Sequence, residues 1–194
     1  NGPAGRNAPP FRGNKGTTWE GGVREPCIMR WPGKIPAGTT CDQISGNIDM
    51  LPTFAALGGT EVPKDRVIDG RDITPLMFEF APGPVRDTHL YFSGNGKLEA
   101  IRQGQWKLFL AKSQGGGKTA RTASNPPNVN KERKDGEANA DDFTLYDLAT
   151  DLGETMDVSA DHRDIVAKLK SEAAQRDAEI REHQRPAGEH KERK

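Results

Sequence analysis

The chain has 194 residues, with 28 Lys and Arg against 28 Asp and Glu, so its formal net charge is zero. That length allows one ordinary domain, or one plus an extension. The charge balance gives no reason to expect a general binder of nucleic acid or acidic membrane. Only 33% of residues are hydrophobic and 6% aromatic, while 22 Gly and 14 Pro imply extensive loops. No stretch approaches the roughly 18 to 20 apolar residues of a membrane helix, and no charged-then-apolar leader opens the chain. Cys27 and Cys41 are too few for a disulfide framework or a Cys-rich zinc site, and both are expected as free thiols in or near a core. The opening Asn1-Gly2-Pro3 has no Met and reads as the middle of a motif, which suggests a fragment.

Residues 1–22 are rich in Gly, Pro and Asn and read as loop. Val23 to Trp31 is a compact apolar run ended by Pro32-Gly33, and predicts a buried strand. A turn-rich connection over residues 32–42 follows. Met50, Leu51, Phe54, Ala55 and Leu57 suit a short amphipathic helix, with Asp49 as N-cap and Gly58-Gly59 as its end. Residues 60–88 read mostly as loop, with a helical turn at Thr74 to Phe78.

The period then changes. His89 to Ser93, Glu99 to Gln103, Trp106 to Leu110 and Phe143 to Leu148 are short strand-like runs. Gly94-Asn95-Gly96 and Gly104-Gln105 stand between the first three, where hairpin turns belong. This predicts a four-stranded antiparallel meander. The polar insert from about Lys112 to Asp142 holds nothing that forms a core and predicts a surface loop. Ser159 or Asp161 is expected to cap a long helix over about 160–184. Its apolar stripe is Ile165, Val166, Leu169, Ala173 and Ile180, on an otherwise charged surface. Past Arg185-Pro186 the tail is expected to be disordered.

The most unusual segment runs from Gly13 to Arg24. Glycines flank a single lysine, Lys15, and a threonine pair, Thr17-Thr18. Gly allows close backbone approach, and Thr hydroxyls and free N–H groups can face an anion. A lysine ammonium held there is a point charge suited to a tetrahedral oxyanion. The spacing is not that of a nucleotide-binding P-loop. Composition alone leaves an anion site and a tight structural loop both open.

The run KGTTWEGGVREPCIMRWPGKIPAG closely resembles the second signature region of type I sulfatases, the arylsulfatase family of the alkaline-phosphatase-like superfamily. ISGNIDMLPTFAALGG, VIDGRDITPLM, EAIRQGQWKLFL and LYDLATDLGETMDVS resemble later family segments, in the same order, so the likeness covers roughly residues 1–170. One departure is Leu152, where the family usually has Pro; it affects a turn.

The resemblance implies an α/β fold: the C-terminal part of the alkaline-phosphatase-like sulfatase fold, with a small four-stranded antiparallel sheet packed by a long C-terminal helix. Residues 1–88 would end the large α/β domain, with the lysine loop, a core strand and the short helix. Residues 89–185 would form the C-terminal subdomain, with the insert at about 112–142, and 186–194 the tail. Lys15 matches the family lysine that contacts the sulfate ester, and would stabilise charge as the S–O bond breaks. Asn1 matches the Asn of a calcium-binding Asp-Asn-Gly motif; an amide oxygen suits a hard cation. Thr17, Thr18, Glu20 and Arg24 are read as shaping the loop and the strand that follows it. His89, His162, His183 and His190 have no motif support.

The family nucleophile is a formylglycine made from the Cys or Ser of a Cys/Ser-x-Pro/Ala-x-Arg motif. Neither Cys27-Ile28-Met29-Arg30 nor Cys41-Asp42-Gln43-Ile44 matches it. The resemblance therefore implies a sulfuric ester hydrolase whose nucleophile and remaining calcium ligands come from an N-terminal half of the same protein. The partner is a sulfate ester: an aryl sulfate, sulfated glycan or glycolipid. The family's usual compartment is extracytoplasmic: periplasmic, secreted or lysosomal. Two alternatives stand beside this: a phosphonate or phosphate monoester hydrolase of the same superfamily, and a non-catalytic binding module derived from it. An apolar face is expected to be exposed in the isolated chain.

Overall fold

A computed structural model describes residues 9–78, 83–110 and 143–184. Asn1, the insert at 112–142 and the tail at 186–194 lie outside the described residues.

The expected meander is present. Strands β1 (Thr88–Phe92), β2 (Leu98–Gln103), β3 (Trp106–Phe109) and β4 (Thr144–Asp147) form one antiparallel sheet in the order β1-β2-β3-β4. Local turn chemistry sets the hairpins. Gln103 pairs with Trp106 across Gly104-Gln105. Gly104 has φ +57°, and a positive φ at the first central residue alone is the type II′ turn that suits twisted strands. The register then sorts the side chains. Ile101 faces Leu108 and Leu108 faces Leu145, while the neighbouring row pairs Arg102 with Lys107 and Lys107 with Tyr146.

Each sheet face has its own core. Ile101, Leu108 and Leu145 are fully buried with Leu169 and Ala173 of the long helix α4 (Arg163–Glu182). The opposite face buries Tyr91, Ala100, Phe109 and Tyr146 under Trp19. Helix α4 is where its stripe predicted, but its caps are not. The N-cap position is His162, with no side-chain cap bond. Asp161 instead closes a turn to the Val158 carbonyl, so the chain takes one more step before the helix starts.

Two expectations fail in the first third. The predicted buried strand at Val23–Trp31 does not form among the described residues. Val23 ends a one-turn helix, α1 (Glu20–Val23), and residues 24–31 run without strand partners. Ile28 is 93% exposed, and Cys27 and Cys41 are both exposed rather than buried. An apolar run becomes a buried strand only where another strand pairs its backbone, and no described strand lies beside this one.

Helix α2 (Met50–Leu57) has the expected bounds, but Leu51 and Phe54 lie on its exposed side while Thr53 is buried. Asp49 makes no cap bond to it. Its Oδ2 accepts the Gly46 N–H at 2.8 Å, its Oδ1 accepts the Arg71 N–H at 2.8 Å, and the Arg86 guanidinium pairs with it in a buried contact. The one-turn helix α3 (Thr74–Phe78) matches its expectation.

Candidate active-site loop

Residues 12–22 fold back on themselves. The Thr17 N–H donates to the Asn14 carbonyl at 3.1 Å, closing a four-residue turn with Lys15 and Gly16 at its centre. Gly16 has φ +92° and Lys15 does not have a positive φ, which makes this a type II turn with glycine where it is required. The Thr17 hydroxyl donates to the same carbonyl at 2.8 Å. Lys15 thus sits at the tip, exposed. Helix α1, on the return side of the loop, passes very close: a Cβ on Gly22 would lie 2.3 Å from the Thr17 carbonyl oxygen.

Behind the tip the loop is anchored on the sheet. The Trp19 ring lies 4.5 Å from Phe109 and edge-on to Tyr146, with the Arg12 guanidinium 3.8 Å from its centroid. The Thr18 hydroxyl donates to Glu99 Oε2 on β2 at 2.9 Å. Lys107, in the middle of β3 and fully buried, donates through Nζ to the Thr18 carbonyl at 2.7 Å and to Glu20 Oε1 at 2.9 Å. The same ammonium is 2.7 Å from Glu154 Oε1. Glu154 Oε2 accepts the Glu20 N–H at 2.8 Å, and Arg12 donates to the Glu154 carbonyl at 2.8 Å. Glu154 holds φ +52°, a left-handed conformation uncommon for a residue with a side chain.

The electrostatics of this knot are uneven. Burial alone would raise the Glu20 carboxyl. The charge and hydrogen bond of Lys107, and then Arg24 at 2.5 Å, outweigh burial and hold the group at about 2. Burial pushes the Glu154 carboxyl above its ordinary value, and Lys107 offsets only part of this. Burial and the neighbouring Glu20 charge raise the Tyr91 phenol, which donates to Glu20 Oε1 at 2.9 Å. Burial also lowers His89, reinforced by Arg86, and its ring stands edge-on to Tyr91 at 4.8 Å. A neutral imidazole follows at physiological pH.

The family described as the C-terminal region of aryl-sulfatase matches residues 85–193, more than half of the chain. The chain belongs to the sulfatase family. A second family, described as N-sulphoglucosamine sulphohydrolase, C-terminal, matches residues 14–109 and so takes in the Lys15 loop of this sulfatase chain. Steryl-sulfatase of Mus musculus is 44% identical over 105 residues, which are 51% of this chain and 16% of that protein. Steryl-sulfatase of Homo sapiens is 49% identical over 108 residues, 52% of this chain and 18% of that protein. N-acetylgalactosamine-6-sulfatase of Canis lupus familiaris is 42% identical over 98 residues, 50% and 18% respectively. The chain thus spans less than a fifth of the length of these curated relatives. Among solved structures, PsFucS1 sulfatase from Pseudoalteromonas sp. shares the fold, with a TM-score of 0.70 at 24% identity over 90% of this chain and 33% of that one. The structure titled Ps i-CgsB gives a TM-score of 0.67 at 25% identity over 93% of this chain and 34% of that one.

Of the site residues expected from the sulfatase resemblance, Lys15 is at the loop tip and Asn1 lies outside the described residues. Among the described residues, no group of three or more His, Cys, Asp and Glu side chains is placed to hold a metal ion. Thr17, Thr18 and Glu20 all build the loop, as expected, and Arg24 pairs with Glu20. Leu152, the departure from the family pattern, packs against the Trp19 cluster. Sequence reasoning missed Lys107 and Glu154 as partners of this loop. One signal existed: Lys107 alternates with Trp106 and Leu108 in a strand, on the same face as Phe109. A lysine in that row must find buried counter-charges.

Proposed function

We propose that this chain is the portion of a sulfuric ester hydrolase that presents its sulfate-contacting lysine. The observation carrying this is Lys15, exposed at the tip of a type II turn whose base is pinned to the sheet by buried ionic contacts. With its backbone held this way, the lysine needs only its own side chain to settle as negative charge builds on the departing oxygen and the sulfate group, and charge placed in advance is what lowers such a barrier.

In the family, a formylglycine supplies the nucleophile and calcium the Lewis acid. Asn1 is a proposed calcium ligand. Neither cysteine stands in a formylglycine motif, so the 194 residues alone are expected to turn over no sulfate ester and to bind calcium weakly. The substrate is an aryl sulfate, a sulfated glycan or a glycolipid. The structure titled as Ps i-CgsB in complex with k-i-k-neocarrahexaose lends the glycan some weight. An extracytoplasmic site of action follows from the family, and no helix among the described residues is long and apolar enough to cross a membrane. The matched families are both of sulfatases, which disfavours the phosphoesterase and binding-module readings.

The test uses the product of the complete reading frame that encodes this chain. It should hydrolyse 4-nitrophenyl sulfate in preference to 4-nitrophenyl phosphate, and Lys15→Met should cut kcat/KM by about 10² to 10³, the cost of deleting one preorganised charge-stabilising group. A preference for the phosphate, or an unaffected Lys15→Met, defeats the reading.

A further inference from the structure

Among the described residues the Lys15 side chain has no hydrogen bond or ion pair, so its placement depends on its backbone. That backbone is held three residues later. Both polar ends of Thr18 are tied down: the hydroxyl to Glu99 on β2, the carbonyl to Lys107 on β3. Glu20 is held by the same ammonium, and its own N–H is held by Glu154.

Lys107 is an expensive residue to bury. Its environment is otherwise aromatic, with Nζ 4.2 Å from the Tyr91 ring centroid and 5.1 Å from that of Phe109. Well-packed apolar side chains commonly replace a buried ionic cluster with no loss of stability. What they cannot do is grip the Thr18 carbonyl. A packing role alone therefore leaves the ammonium unexplained, and a loop-holding role explains it.

We infer that Lys107 is a positioning residue for Lys15, fixing through the Thr18 carbonyl and the Glu20 carboxylate the loop that presents Lys15 to the sulfate group. This rests on the reading of Lys15 given above. Lys107 touches no substrate; it acts through the loop.

The experiment is a double-mutant cycle in the product of the complete reading frame. Lys15→Met, Lys107→Met and the pair are compared for kcat/KM on 4-nitrophenyl sulfate and for inhibition by inorganic sulfate. Lys107→Met should lower kcat/KM by up to about 10²-fold, the scale of a ~1 Å misplacement, and weaken sulfate inhibition. In the Lys15→Met background the same change should cost no more than about twofold, because the positioned group is gone. Losses that multiply overturn the inference and leave the reading of Lys15 standing. An unchanged Lys15→Met overturns the reading, and the inference with it. Because Lys107→Met strands Glu154 without its cation, Lys107→Met/Glu154→Gln is measured beside it. A near-parental urea midpoint with kcat/KM still depressed supports positioning; recovery of both defeats it.

Discussion

Lys107 and Glu20 meet 2.9 Å apart with almost no solvent contact, 87 residues apart in sequence. Each is also engaged elsewhere, Lys107 by Glu154 and the Thr18 carbonyl, Glu20 by Arg24 and Tyr91. Removing the cation leaves two carboxylates facing each other without it. Lys107→Met should therefore destabilise the chain by about 3–5 kcal/mol, the usual penalty for orphaning a buried charge. Adding Glu20→Gln and Glu154→Gln should restore much of that loss. Urea unfolding of the three variants measures both effects.

The two carboxylates respond to pH with opposite sign. Glu20 falls from an ordinary 4.5 to about 2 in the folded chain. Its contribution is complete above 4.5 and fades as pH drops through that window toward 2, and a shift of this size is worth on the order of 3 kcal/mol. Glu154 is raised, so the folded state holds its proton more tightly than the unfolded one. It favours folding at low pH, and that contribution is lost as pH rises through its raised value. Glu20→Gln should flatten the loss of stability between pH 4.5 and 2, and Glu154→Gln should remove a loss on the alkaline side of 4.5. Denaturant midpoints across that pH range decide the matter.

Gly22 lies where a methyl group would strike backbone. A Cβ there would lie 2.3 Å from the Thr17 carbonyl oxygen and 2.6 Å from that of Asn14, the two ends of the turn bearing Lys15. Gly22→Ala should cost about 1–3 kcal/mol through overpacking and displace the turn. Gly94→Ala, with open space around it, should be close to neutral. Thermal melts separate the two, and loss of sulfate inhibition in the complete protein should follow Gly22 alone.

Leu51 and Phe54 of α2 are 54% and 65% exposed, and Ile28 and Trp31 lie open on the segment after α1. Exposed apolar groups in this number invite self-association. The isolated chain should bind the dye ANS and sediment as concentration-dependent aggregates. Leu51→Lys/Phe54→Glu should reduce both signals without lowering the urea midpoint. A cooperative, monomeric melt of the parent chain would count against this.

The hairpins, α4 and α2 were legible because their signals are local: glycines at turn positions, alternation in strands, a stripe at helical spacing. Val23–Trp31 was misread because hydrophobicity reports what a segment prefers to contact, not whether a strand is there to pair with it. Asp49 holds the N-cap position of α2 as expected, but its side chain does not cap the helix. Its place before a helix suggests a cap, but Arg86, 37 residues later, gives the carboxylate a stronger partner. The resemblance to a known motif located Lys15, and no local pattern revealed what braces it. The contacts between Lys107, Glu20 and Glu154 bridge up to 134 residues, and only a lysine in an inward-facing row hinted at them.

The hydrogen bond from Arg12 to the Glu154 carbonyl spans 142 residues. During synthesis, the loop bearing Lys15 therefore emerges long before the residue that clasps it. Contacts this distant close slowly, so the loop must wait for nearly the whole described chain before it can settle. A stop codon or frameshift between Lys107 and Glu154 would remove one side of the clasp. Such a lesion, remote in sequence from Lys15, would read out as a defect at the lysine itself.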